Sequence, residues 1–355
     1  MHSYEYIFTA IIVFAILIAS VALVSTMPQS FINVLEIQQL KMTAQKIMTY
    51  LTLNPGNPAD WGGNIKVGPD ELTAFGLAKY MELVRGAYVL DPDKVQRLSS
   101  GEVPSPLYIP PSRVIELFNL GRDYGLKLEF IPALNVNLDA QLNPGSISVF
   151  ISVLSEQGKP IANADVAARA FYLQNGQINK TSLISNRTRE DGECAINFNG
   201  VNSDAALIVL LVDYNGVCVV KTSILGSFAK SYFIGNNLIL SNSFTIPSNV
   251  SYQVMAFKSG GSYLIDYVIC GLTPWSPSPL NNYTVYNMTY VEPYTAALLA
   301  VTGEGKLAVA CRNVPSSYSS IPGEAYPPLA YTLERSVMIG QSLYTLRLKV
   351  WRMVW

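Results

Sequence analysis

Four cysteines, one histidine and 25 carboxylates are the groups through which this 355-residue chain could do chemistry. The histidine is His2, at the edge of the sequence, which excludes a Ser-His-Asp or Cys-His relay and any histidine-ligated metal site from the body. Cys194, Cys218, Cys270 and Cys311 match no C-x-x-C spacing, so zinc and dithiol redox motifs are excluded too. An even number of cysteines in a β-rich body predicts two disulfides. Cys194 with Cys218 and Cys270 with Cys311 is one of three possible pairings, and four buried thiols are the alternative. Two carboxylates suffice to hydrolyse a glycosidic bond when they converge in space. Most acids here sit in turns or helix starts, where structural roles are favoured. No Walker loop, dinucleotide fingerprint or G-x-S-x-G elbow is present. The expectation is no enzyme, no cofactor and no metal.

Binding chemistry is sparser. Trp275 begins one loop, and Tyr318 and Tyr326 lie in a second, Tyr-, Ser- and Pro-rich one. Together they form a candidate platform for a sugar or peptide, although such rings serve equally well as core. With 24 basic against 25 acidic residues and a net charge of -1, the chain offers no basic groove, which excludes nucleic acid as a partner. Five N-x-S/T sequons fall in the second half, at Asn179, Asn186, Asn249, Asn282 and Asn287, a number that chance nearly supplies.

The elements that must position these groups begin with Tyr6–Met27, a run without a single charge. Some 22 helical residues span roughly 33 Å, enough to cross a hydrocarbon core of about 30 Å. A single-pass membrane anchor is expected rather than a cleaved signal, since no Lys or Arg precedes the run. Lys41 and Lys46 follow it, and the positive-inside rule alone would keep the body in the cytoplasm. Long C-terminal domains translocate largely regardless of charge, and a composition with 14% charged residues and 21 Tyr favours an extracytoplasmic body.

Beyond Pro28 the helical pattern resumes. Ile37, Leu40, Ala44, Ile47 and Leu51 follow three-four spacing, a stripe that faces either a partner helix or the chain's own body. Asn54-Pro55-Gly56 ends that helix. Asp91-Pro92 reads as an N-cap with Pro at the first helical position, and Pro111 opens a further helix that stops at Gly121. From Lys127 the period becomes two. Ile147, Val149, Ile151 and Val153 form one strand face, and Asn215-Gly216 is the strongest hairpin signal. Tyr344, Leu346, Leu348 and Val350 form a final strand face.

The predicted architecture is therefore mainly β with an N-terminal transmembrane helix. Residues 1–28 form the anchor, 29–53 an amphipathic stalk and 54–126 a small helical collar. An Ig-like antiparallel sandwich follows over 127–226, and 227–355 form a second β-rich domain.

Two stretches resemble known families. Gly158-Lys159-Pro160-Ile161-Ala162-Asn163-Ala164-Asp165-Val166, followed by Thr188-Arg189-Glu190-Asp191-Gly192, is similar to Ig-like and carboxypeptidase-regulatory-like modules. That likeness implies a spacer or adhesive sandwich without catalytic residues. The N-terminal third, from Ala44-Gln45-Lys46-Ile47 through Gly56-Asn57-Pro58-Ala59-Asp60-Trp61-Gly62, resembles archaeal pilin-like membrane proteins. In that family a glutamate near the helix start pairs with a neighbouring subunit's N-terminus, a role that the resemblance implies for Glu5. No basic leader or cleavage-site glycine precedes the apolar run, so polymerisation into a pilus is not expected. The reading is a single-pass cell-surface protein for adhesion or envelope assembly. Its expected partners are the membrane, other envelope proteins and, through the helix, copies of itself. A membrane-anchored carboxylate hydrolase and a sugar- or peptide-binding module are the alternatives.

Overall fold

The computed structural model describes the backbone of residues 2–25, 29–80, 88–121, 123–247, 254–260, 263–269, 272–292, 294–321 and 330–353. Side chains are described for the same residues except 2–7, 22–25, 29–35, 254–260 and 263. The protein is mainly β, with several antiparallel sheets and a small N-terminal helical part. Among the described residues no helix is long and apolar enough to cross a membrane. In α1 (His2–Ser25) the described side chains are those of residues 8–21, about 21 Å of helix at 1.5 Å per residue. The ends of the apolar run, with Glu5, lie outside the described side chains.

Helix α2 (Gln29–Leu53) buries Leu40, Ala44, Ile47, Met48 and Leu51, each at most 2% exposed, on one face. Pro55 supplies no donor to prolong it, and Gly56 takes φ +82° as the chain turns away. A short strand, β1 (Val89–Leu90), precedes helix α3 (Pro92–Gln96). As its sequence signature predicts, Asp91 caps α3, its side chain accepting from the Asp93 N–H at 3.0 Å. Helix α4 (Pro111–Leu117) ends three residues earlier than the pattern predicts, and β2 (Tyr124–Pro132) follows.

Strands β3 (Leu134–Asn143), β4 (Gly145–Ser155), β5 (Asp165–Gln174), β6 (Gln177–Lys180), β7 (Ile184–Arg187), β8 (Glu193–Val201), β9 (Ala205–Tyr214) and β10 (Val217–Gly226) make the expected sandwich. One sheet runs β3-β4-β8. The other runs β10-β9-β5-β6, with β7 also on β5. Ile147, Val149, Ile151 and Val153 all face the core between the sheets. Asn215 and Gly216 form the two-residue hairpin turn, with φ +53° and +81°, and Tyr214 pairs with Val217 across it. The G-x-P-I…T-x-x-D-G pattern has a physical basis. Thr188 Oγ1 donates to Ile161 O at 2.7 Å and accepts from Ala164 N at 2.9 Å. A Cβ on Gly192 would stand 2.7 Å from Val153 O, so only glycine fits there.

The next eight strands form one sheet: β11 (Phe228–Ile234), β12 (Asn237–Ser241), β13 (Val254–Gly260), β14 (Tyr263–Ile269), β15 (Leu272–Pro274), β16 (Tyr283–Met288), β17 (Thr295–Val301) and β18 (Leu307–Cys311). One of its faces packs on the sandwich. Leu207, Val209 and Leu211 of β9 meet Leu299, Leu307 and Val309, while Ala206, Ile208, Leu210 and Val212 fill the sandwich core. Burial on both faces is why residues 205–212 read as one unbroken apolar run.

The remaining strands correct the expected domain boundaries. After β19 (Ser317–Ser319) come β20 (Ala330–Ile339) and β21 (Ser342–Arg352), and they join no part of the eight-stranded sheet. They return to the N-terminal part in the order β1-β20-β21-β2-β19, with Leu128 opposite Leu348. Helix α2 packs on β20 and β21, and a single core holds Leu40, Ile47 and Leu51 with Leu346, Leu348 and Val350. The expected domain at 227–355 therefore loses its last strands. They close a base that both ends of the described chain build, and β2 belongs to that base rather than to the sandwich.

Candidate functional site

The densest cluster of ionisable groups lies where the collar meets the base and the eight-stranded sheet. It is built on α3 and the residues beside it: Lys94, Gln96 and Arg97 are at most 1% exposed and Asp93 is 9% exposed. Charges removed from water must be paired or fully hydrogen-bonded. Here they are. Arg312, just after β18, grips Asp93 through both guanidinium arms, Nε to Oδ1 at 2.8 Å and Nη2 to Oδ2 at 3.1 Å. The same Nη2 donates to Gly235 O at 2.9 Å, and the guanidinium carbon sits 3.9 Å from the centre of the Phe233 ring. This fork joins the collar to the eight-stranded sheet with the planar geometry that favours Arg over Lys.

Lys94 Nζ donates to Pro55 O at 2.8 Å and to Ala78 O at 2.9 Å, tying α3 to the loop that ends α2. Burial pushes its ammonium down to about 8, against the opposing pull of Asp91 and Asp60. Arg97 donates to Leu107 O at 2.7 Å, to Val67 O at 2.5 Å and to Trp61 O. Burial lowers it to about 10, with Asp93 and Glu71 acting the other way. Gln96 reaches across to Cys311 O at 3.2 Å. Where Gly63 meets Gly235 the two backbones touch: a Cβ on Gly235 would lie 2.4 Å from Gly63 O.

Asp91 and Asp93 are the acids the cluster brings together. Burial, then the Asp93 charge, raises the Asp91 carboxyl above the usual range. Both acids have structural occupations, one capping α3 and the other held by Arg312. The neighbouring cavity, lined by Pro92, Thr295, Arg312 and Tyr344 among others, measures ≈ 90 Å³. Small-molecule pockets run to roughly 300–1,000 Å³, so this one has room for water but not for a glycan. Among the described residues no group of three or more His, Cys, Asp or Glu is placed to hold a metal ion.

The described residues among those singled out from sequence do not converge. Cys194, Cys218 and Cys311 are buried free thiols, and Cys270 lies outside the described residues. Cys194 faces the sandwich core, whereas Cys218 faces the eight-stranded sheet on the far side of its own strand. The expected bridge between them is therefore not formed. Burial raises the thiols of Cys218 and Cys311 to about 11. The expected assembly seam is likewise corrected. Leu40, Ala44, Ile47 and Leu51 are sealed against the chain's own β20 and β21, and only Ile37, 41% exposed, faces solvent. Nor does the aromatic platform assemble. Tyr318 is buried in the base with its hydroxyl donating to Ile109 O at 3.0 Å, whereas Trp275 packs beside Leu280 and Val285 under Lys66. Tyr326 lies outside the described residues. The Asp93–Arg312 fork was missed because its partners stand 219 positions apart. The one available signal was the pair of adjacent charges, Asp93 and Lys94, in the five-residue α3.

No protein-family model and no curated protein matches this chain. The crystal structure of a DUF4466 family protein from Parabacteroides merdae is similar over 63% of this chain and 100% of its own, at 9% identity and a TM-score of 0.18. A likeness that slight carries no argument about fold or function.

Proposed function

We propose that the protein is a membrane-tethered structural component of the cell surface, whose compact base carries a β-sandwich and an eight-stranded sheet outside the bilayer. The observation that carries this reading is the exposure of α1. Phe8, Ile11, Phe14, Ile16, Ile18 and Val21 are 60–70% exposed, whereas the described core clusters of the body are buried. Apolar side chains so contiguous in an uncharged run need a covering medium, and lipid supplies it. The ion-paired junction supports the structural half of the proposal, since its charged groups lock the parts together and face no ligand-sized cavity. Burial of the α2 stripe inside the chain's own base favours a tethered ectodomain over a pilin-like filament, and leaves α1 as the segment through which copies could associate.

The test is membrane extraction. The full chain is expected to stay in the membrane pellet through alkaline carbonate treatment. A variant lacking residues 6–27 should leave it as a folded protein with an unchanged melting temperature. Release of the full chain by carbonate alone would overturn the tether.

A further inference from the structure

Among the described residues nothing covers one broad sheet face of the sandwich, the outer face of β3-β4-β8. The other sandwich sheet is covered by the eight-stranded sheet, and one face of the base sheet is covered by α2. The opposite face of the base is charged but self-satisfied: Glu129 pairs with Lys127, Lys349 and Arg347, and Arg347 also with Glu334. The open sandwich face differs. Register places Asn137, Ser152 and Glu193 in one row across it, and Asp139, Phe150 and Ala195 in the next. Around these rows lies a concavity of ≈ 620 Å³, which Arg189 and Lys221 also line. Among the described residues none of these four charged side chains forms an ion pair. Phe150 stands 53% exposed in their midst.

We propose that this concave face binds a saccharide. The volume is that of a small-molecule site rather than of a protein interface. Two acids, Asp139 and Glu193, balance two bases, Arg189 and Lys221, which disfavours a polyanion and suits a ligand that both donates and accepts hydrogen bonds. Sugar hydroxyls do both. The carboxylates accept from them, Arg189 and Lys221 donate to them, and Asn137 and Ser152 do either. An exposed aromatic ring supplies the apolar platform on which the C–H face of a pyranose stacks. Lys221 is partly buried, and desolvation lowers its affinity for a proton, so the site gains from a ligand oxygen that replaces lost water. This inference goes beyond the structural role and does not rest on the tether.

The experiment uses the full chain, purified and assayed free of sugar-based detergent. It is applied to an array of neutral, N-acetylated and uronic-acid oligosaccharides. Binding to at least one glycan is expected. Phe150→Ala and Glu193→Gln should each weaken it tenfold or more without lowering the melting temperature, while Trp275→Ala leaves it unchanged. Binding to no glycan on the array, or binding that survives both sandwich variants, overturns the proposal.

Discussion

Residue by residue, the stability of this protein depends on how buried charge is compensated. Removing one partner of a buried ion pair leaves the other uncompensated, at a cost of about 3–5 kcal/mol. Arg312→Leu is therefore expected to destabilise the protein by about that much in urea unfolding, and a loss under about 1 kcal/mol would show that the Asp93–Arg312 fork contributes little. Lys94 makes a pH-dependent prediction. Its ammonium is held near 8 when folded, against 10.5 when free. Across that window the unfolded state binds more protons, so this group makes stability rise with pH. Cys218 and Cys311 act oppositely over the same range, since unfolded thiols, half ionised at 9, lose protons that the folded ones, near 11, keep. Wild type and Lys94→Met share those thiols, so the lysine is read in the difference between them. From about pH 8 to 10 the stability of wild type should rise relative to that of Lys94→Met. Equal slopes for the two proteins would refute the assignment. None of this was legible in sequence, because a buried lysine and a solvated one look alike until the chain has folded around them.

Elements were more legible, and unevenly so. Where structure is set locally, the residues announce it: Asp91-Pro92 at the start of α3, Asn215-Gly216 between β9 and β10, the period of two along β4. Asn175-Gly176, with φ +53° and +73°, turns β5 into β6 by the same chemistry. The stripe on α2 was readable as a buried face, but its partner was not, because three-four spacing is the same whether a neighbouring subunit or the chain's own sheet covers it. Mutation separates the two. Ile47→Asp places a carboxylate in the base core and is expected to cost about 4 kcal/mol or more in a monomer lacking α1. Ile37→Asp, at an exposed position, should change stability by less than about 0.5 kcal/mol. Unchanged unfolding of the Ile47→Asp monomer, with dissociation of an oligomer instead, would return the stripe to an intersubunit seam.

At the scale of the whole molecule, topology is what sequence order conceals. Each sheet is locally patterned, yet β2 finds β21 more than two hundred positions away, and no periodicity encodes that choice. The alternation of Tyr344, Leu346, Leu348 and Val350 marks a strand face but not the sheet that receives it, which is built with the other end of the chain. This closure has a mechanical consequence. Forces on the sandwich or the eight-stranded sheet reach α2 through a base held from both sides, so the proposed tether bears on a single folded unit. Deleting residues 330–353 should therefore unfold the base and leave α2 without its covering sheet. The sandwich, with its own core, is expected to keep its hydrogen-exchange protection in that truncated chain.

Display of this body outside the membrane that α1 is proposed to enter is open to direct measurement. An epitope inserted at Asn175-Gly176, an exposed turn where a Cβ on the glycine would meet nothing within 4 Å, reports it directly. Antibody applied to intact cells is predicted to label the full chain at the surface. Labelling that occurs only after the cells are permeabilised would place the body on the inner side and overturn surface display.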